Sequence, residues 1–129
     1  MKQTGFTLME LMLTVIVLAI LVSIAVPTYI STTERARARE AIATLNAIRA
    51  AEASYSAERR SFIALSTAST DDTWRMVGLE DPHNNGNRSW NYAFTAGGVG
   101  TATRWNGPNN GEQITIDAAG TLNDAGFTP

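Results

Sequence analysis

Cysteine is absent from the chain, and lysine and histidine occur once each, at Lys2 and His83. The first absence excludes both a disulfide framework and a thiolate metal site. His83 lies in the turn-rich stretch "DPHNNGN". A lone loop histidine is expected to be solvated, and it argues against a catalytic triad or a histidine-based metal site. Charge is also scarce: the formal net charge is −2, so no broad basic footprint for nucleic acid is present. The positive charge is carried by nine arginines besides Lys2. No internal repeat and no constellation of catalytic groups stands out.

What the chain does have is one long apolar run. From Phe6 to Val26 only Thr7, Glu10, Thr14 and Ser23 interrupt it, and a bilayer core needs about 20 apolar residues in helix. Lys2 favours a cytoplasmic start by the positive-inside bias, although Arg35, Arg37 and Arg39 lie on the other side. An ordinary secretory signal would place a small-residue cleavage site after the run. "VSIAVPTY" supplies only a mediocre one. About a hundred residues then remain for a modest core.

Helical character continues past Pro27, which is expected to bend the axis rather than end it. The stretch from Ser31 to Arg60 is rich in Ala, Arg, Glu and Leu, all strong helix formers. Ala41, Leu45, Ile48 and Tyr55 follow helical spacing, with Glu52 breaking the run. One helix from Phe6 to Arg60 would be roughly 80 Å long, so its first half needs a partner outside its own domain.

Between Ser61 and Ser89 the periodicity fades into "STASTDD" and "LEDPHNNGNRS", both dense in loop formers. "TWRMVGL" between them reads as a short helix or an irregular turn. From Ser89 the period becomes two. Trp90, Tyr92 and Phe94 share one strand face, "GGVG" is a hairpin connection into "TATRWN", and "GPNNG" is a second turn into "EQITIDA". A turn at Gly120 leads to a short "TLN". Three or four strands form a small antiparallel sheet, which the stripe from Leu45 to Tyr55 is placed to cover.

Gly5 followed by "FTLMEL", the apolar run and "VPTY" resemble the type IV pilin-like family: type IV pilins, minor pilins and type II secretion pseudopilins. The resemblance implies an α+β fold, a long N-terminal helix packed on a 3–4-stranded antiparallel sheet. It implies a leader over 1–5, a membrane-spanning or filament-core helix over 6–27, an amphipathic half over 28–60, and loops with the sheet over 61–129. Prepilin peptidase would cut between Gly5 and Phe6 and N-methylate Phe6. Glu10 takes the family's glutamate position, where it pairs with the new cationic amine at Phe6 of a neighbouring subunit. Pro27 matches the family's helix-kinking proline. Partners implied are further copies in a helical filament, minor pilins, the peptidase and an inner-membrane assembly platform. The subunit would lie in the inner membrane before assembly and in an extracellular pilus afterwards. One departure is the missing C-terminal disulfide of many pilins, so packing, hydrogen bonds or neighbours must hold the tail.

Each feature also has a plainer reading. Glu10 alone could be a membrane-edge carboxylate reaching the headgroups. Asp71, Asp72, Glu80 and Asp81 form an acidic cluster, and some pseudopilins bind calcium in loops, yet the ligand spacing is unconvincing. Trp74, Trp90, Tyr92, Phe94 and Trp105 read as core and sheet-face residues rather than a stacking site. Asn87-Arg88-Ser89 matches a glycosylation sequon that arises often by chance. The expectation is therefore a non-enzymatic pilin subunit with no cofactor or metal and no specific nucleic-acid partner. The alternatives are a type II secretion pseudopilin in a periplasmic pseudopilus and, from another class, a stand-alone membrane-anchored binding protein.

Overall fold

The computed structural model describes residues 5–129; the leader assignment for residues 1–4, Lys2 included, lies outside the described residues. One helix, α1 (Leu8–Arg59), carries 52 residues and contains Pro27. Packing divides the chain into two compact units, one ending at Thr33 and the other spanning Glu34–Pro129.

In the first unit the helix is long and apolar enough to cross a membrane. Its most apolar 18-residue window has a mean hydropathy of 2.7, and none of it is buried. Large apolar side chains from Phe6 to Ile30 all stay exposed. The hydroxyls among them close on their own helix: Thr14 donates to the Leu11 carbonyl at 2.8 Å and Ser23 to the Ile20 carbonyl at 2.7 Å. Such back-bonding leaves no hydroxyl seeking water, as an apolar surrounding requires. Pro27 lacks the N–H that would bond the Ser23 carbonyl, and Thr28 donates its hydroxyl to the adjacent Ile24 carbonyl at 3.1 Å.

In the second unit, α1 from residue 34 onward buries Ala41, Leu45 and Ile48, the helical spacing read from the sequence. They pack with the inner face of a four-stranded antiparallel meander, β1 (Trp90–Phe94), β2 (Val99–Arg104), β3 (Gln113–Asp117) and β4 (Leu122–Asn123), in sheet order β1-β2-β3-β4. Burial alternates along the strands, so Trp90, Tyr92, Phe94, Ala102, Ile114 and Ile116 point inward, as period two demands. Gly100 faces the helix. A Cβ there would sit 3.0 Å from Ile116 Cγ2 and 3.4 Å from Leu45 Cδ2, so bare backbone lets helix and sheet approach closely.

The intervening loops are tied to this layer. Leu65 and Phe94 exchange backbone hydrogen bonds of 2.9 and 2.8 Å. "TWRMVGL" does contain a short helix, α2 (Asp71–Met76), which buries Trp74. His83 differs from the expectation of a solvated loop residue. Its side chain is only 6% exposed, it packs edge-on against Trp74, and its Nδ1 lies 2.7 Å from Asp81 Oδ1. Its Nε2 accepts the Tyr92 N–H at 2.9 Å, which places the ring proton on Nδ1, facing Asp81. The tail is held without a disulfide. Phe127 packs on Trp90 with ring centroids 5.4 Å apart, and the Glu112 carboxylate accepts from Thr128 N and Asn109 Nδ2 at 2.8 and 2.9 Å.

Candidate functional site

The helix start is where the predicted site residues gather. Thr7 precedes the first helical residue, and its hydroxyl accepts the Glu10 N–H at 3.2 Å. Glu10 reaches back in return: its Oε2 accepts the Thr7 N–H and the Thr7 hydroxyl, each at 2.9 Å. This reciprocal pair is a capping box, which satisfies two backbone donors that a helix start otherwise leaves open. The signature T-x-x-E stands in the sequence as "TLME". Within an apolar run it is easily passed over, because Glu10 then reads only as an intruding charge. Both Thr7 bonds land on one carboxylate oxygen, leaving Oε1 outside the box.

Phe6 is 82% exposed, and among the described residues nothing lies within 4 Å of where a Cβ on Gly5 would sit. Gly5, Phe6 and Glu10 thus lie together at the start of α1. In the uncut chain the Phe6 nitrogen is a peptide amide, so the cation expected to pair with Glu10 does not yet exist. Pro27 lies far along the same helix.

A second polar centre, missed from the sequence, lies in the Glu34–Pro129 unit. Arg104 points inward from the end of β2, 2% exposed, against Glu34, also 2% exposed. Its Nε and Nη2 bond both Glu34 oxygens at 2.8 and 3.0 Å, and Nη1 donates to the carbonyls of Ser89 and Trp105 at 2.7 and 2.6 Å. Arg37 adds a third bond to Glu34 at 2.8 Å. The Arg104 guanidinium, helped by Arg37, holds the Glu34 carboxyl below the usual carboxylate range. The available signal was strand alternation: with Gly100 and Ala102 inward, Arg104 falls on the same face. Glu52 is the other missed residue. It interrupts the apolar spacing yet is wholly buried. One oxygen accepts the Ile63 N–H at 3.1 Å, and the other has no partner. Burial pushes its pKa up.

Of the acidic residues considered for calcium, Asp71, Asp72 and Asp81 each have a hydrogen-bond partner of their own. Asp81 caps the turn at His83, Asp71 accepts from Asn84 at 3.1 Å, and Asp72 faces Arg75 at 3.5 Å. Among the described residues no group of three or more metal-ligating side chains occurs.

An exposed apolar helix opened by a glycine, an aromatic residue and a capping glutamate defines a class. Residues 1–26 match the family described as the prokaryotic N-terminal methylation motif. With the long helix on a small antiparallel sheet, this makes the chain pilin-like in both its N-terminal segment and its fold. Among curated relatives, it is 34% identical over 79 residues to a fimbrial protein of Pseudomonas aeruginosa, covering 61% of this chain and 50% of the relative. It is 42% identical over 53 residues to the type IV narrow pilus major component PilA5 of Thermus thermophilus, covering 41% of this chain and 46% of the relative. The chain thus spans about half the length of the curated relatives it matches.

Proposed function

We propose that this chain is a structural subunit, not an enzyme, of a type IV pilus-like filament. One observation carries the reading: the segment that matches the methylation motif opens a helix whose large apolar side chains stay exposed up to Ile30. Prepilin peptidase removes residues 1–5 by cutting between Gly5 and Phe6 and methylates the Phe6 amine. Residues 6–27 then sit in the inner membrane, and later in the filament core with neighbouring copies. Pro27 bends the helix there. Residues 28–60 join the core segment to the globular part, and 61–129 form the outer surface. The names of the relatives, a fimbrial protein and a pilus component, support a pilus over a secretion pseudopilus.

The chemistry of the helix start supports a registry role for Glu10. Cleavage before Phe6 leaves both Thr7 and Glu10 in the mature chain, so the capping box survives processing. Thr7 holds one carboxylate oxygen, and Oε1 meets the amine of a neighbour's Phe6. Two charges that are costly alone among apolar helices cancel when they meet. The test is intact-mass measurement on subunit sheared from the native host together with its filaments. The expected chain begins at Phe6 and carries one extra methyl. A chain beginning after Val22 or Ala25, or a protein missing from the filament fraction, contradicts the proposal.

A further inference from the structure

The surface above the Glu34–Arg104 pair opens into a cavity of about 320 Å³, walled by Arg37, Arg88, Arg104 and Trp105, with Asn87 and Asn106 at its rim. Gly107, at φ +108°, lets the rim loop lie directly on Arg104, for a Cβ there would come within 2.7 Å of Nη2. Arg37 and Arg104 both bond the buried Glu34 carboxylate, and Arg88 brings a third guanidinium to the cavity wall. No acidic side chain lines the cavity. In a chain of net charge −2 this is a local reversal of sign.

The two outer arginines are only partly used. Arg37 gives Nη1 to Glu34, and its side chain remains 39% exposed. Arg88 gives Nε to Asn91 at 2.6 Å and Nη1 to the His83 carbonyl at 3.2 Å, which fixes the guanidinium 5.4 Å from the Trp105 ring centroid. Each keeps an N–H edge with no partner among the described residues. Trp105 remains 42% exposed. Fixed guanidinium edges suit an oxyanion, the indole surface suits the apolar face of a sugar ring, and the two asparagines suit hydroxyls.

We propose that this cavity binds an acidic saccharide, with its carboxylate received by Arg37 and Arg88 and its ring laid against Trp105. Its size suits one or two sugar residues. A nucleic-acid backbone would need several cations in line, and beyond Arg37 and Arg88 the lining offers only Arg104, whose donors are committed to Glu34, Ser89 and Trp105.

Calorimetric titration of the full chain in detergent with glucuronate, glucose, acetate and inorganic phosphate tests the proposal. Glucuronate is expected to bind at one site per chain, with glucose and acetate at least about ten-fold weaker, the scale of one lost charge-assisted contact. Arg37→Gln, which leaves the Glu34–Arg104 pair intact, and Trp105→Ala should each weaken glucuronate about ten-fold. Arg35→Gln, outside the cavity, should not change it. Absence of glucuronate binding overturns the proposal, as does phosphate binding equally well with no effect of Trp105→Ala. An equal loss in Arg35→Gln would mean diffuse charge attraction, and tighter binding of a short single-stranded oligonucleotide would assign the cavity to nucleic acid instead.

Discussion

Leu8 is 77% exposed and Leu45 fully buried, although both sit in the same helix. Up to Thr33 the helix leaves its apolar side chains uncovered and closes its hydroxyls and Glu10 on its own backbone and neighbours within four residues. From Glu34 onward it buries its apolar stripe. Thr44, Asn46 and Ser54 still close on carbonyls four residues back. The buried carboxylates leave the helix, Glu34 to Arg104 at a separation of 70 residues and Glu52 to Ile63 at 11. Back-bonded hydroxyls occur in both regions, whereas a buried carboxylate that reaches a partner outside its helix marks a protein core.

The widest break between the two regions comes from removing one of them. Deletion through Thr28 keeps Glu34 and the entire stripe, and it should leave a soluble, folded monomer that no longer enters membranes or filaments. Sedimentation and circular dichroism of the truncated chain check this. Its unfolding midpoint should be the same with and without reductant, because there is no disulfide to break. An unfolded truncated chain would mean that filament neighbours complete the fold.

Next in size is Arg104→Leu, which leaves Glu34 buried and short of its main partner. A loss of about 3–5 kcal/mol is expected from breaking a buried ion pair on one side. Urea denaturation of the truncated domain measures it. Because Arg104 lowers the Glu34 pKa, the pair's contribution is present above the unfolded carboxylate pKa of about 4.3 and lost as pH falls through the lower folded value. The wild-type advantage over Arg104→Leu should therefore shrink in acid.

The smallest effect has the opposite sign. Glu52→Gln keeps an acceptor for the Ile63 N–H and removes a carboxylate that burial disfavours. It should stabilise the domain by about 1 kcal/mol at neutral pH, because the buried charge is removed although the amide NH2 inherits the unpaired position. A raised folded pKa penalises the native state as pH rises from the unfolded value through the folded one, so the gain should vanish below about pH 4. Equal midpoints for both chains at neutral pH would show that burying the Glu52 charge costs nothing.

The features legible in the sequence were those with a local period or motif. The apolar run, the stripe at Ala41, Leu45 and Ile48, and the alternation at Trp90, Tyr92 and Phe94 each repeat within a few residues. The turn at Ala119-Gly120 brought out the short β4. The features that escaped depend on partners remote in sequence or on polar groups in apolar places. Glu34 and Arg104 each read as ordinary surface charges until folding joins them, and Glu52 reads as a break in the stripe it completes. His83 looks solvated in a turn-rich segment because its partner, the Tyr92 N–H, lies on a strand. At the proposed site the residue types were readable, whereas the capping role of Thr7 was hidden by the membrane character around it.

The proposed filament role turns on Glu10, and Glu10→Gln addresses it most directly. Glutamine keeps the size and can still accept from Thr7, so the helix start is preserved while the charge is removed. Cleavage after Gly5 should continue, with N-methylation followed separately by mass. Assembly should fail or fall sharply, because a cationic Phe6 would have to enter an apolar core unpaired. The measurement is paired: immunoblot for processed subunit in the membrane, and electron microscopy of the sheared fraction. Processed subunit without filaments is the predicted result, and abundant normal filaments built from the Glu10→Gln chain would contradict charge pairing as the device that sets register.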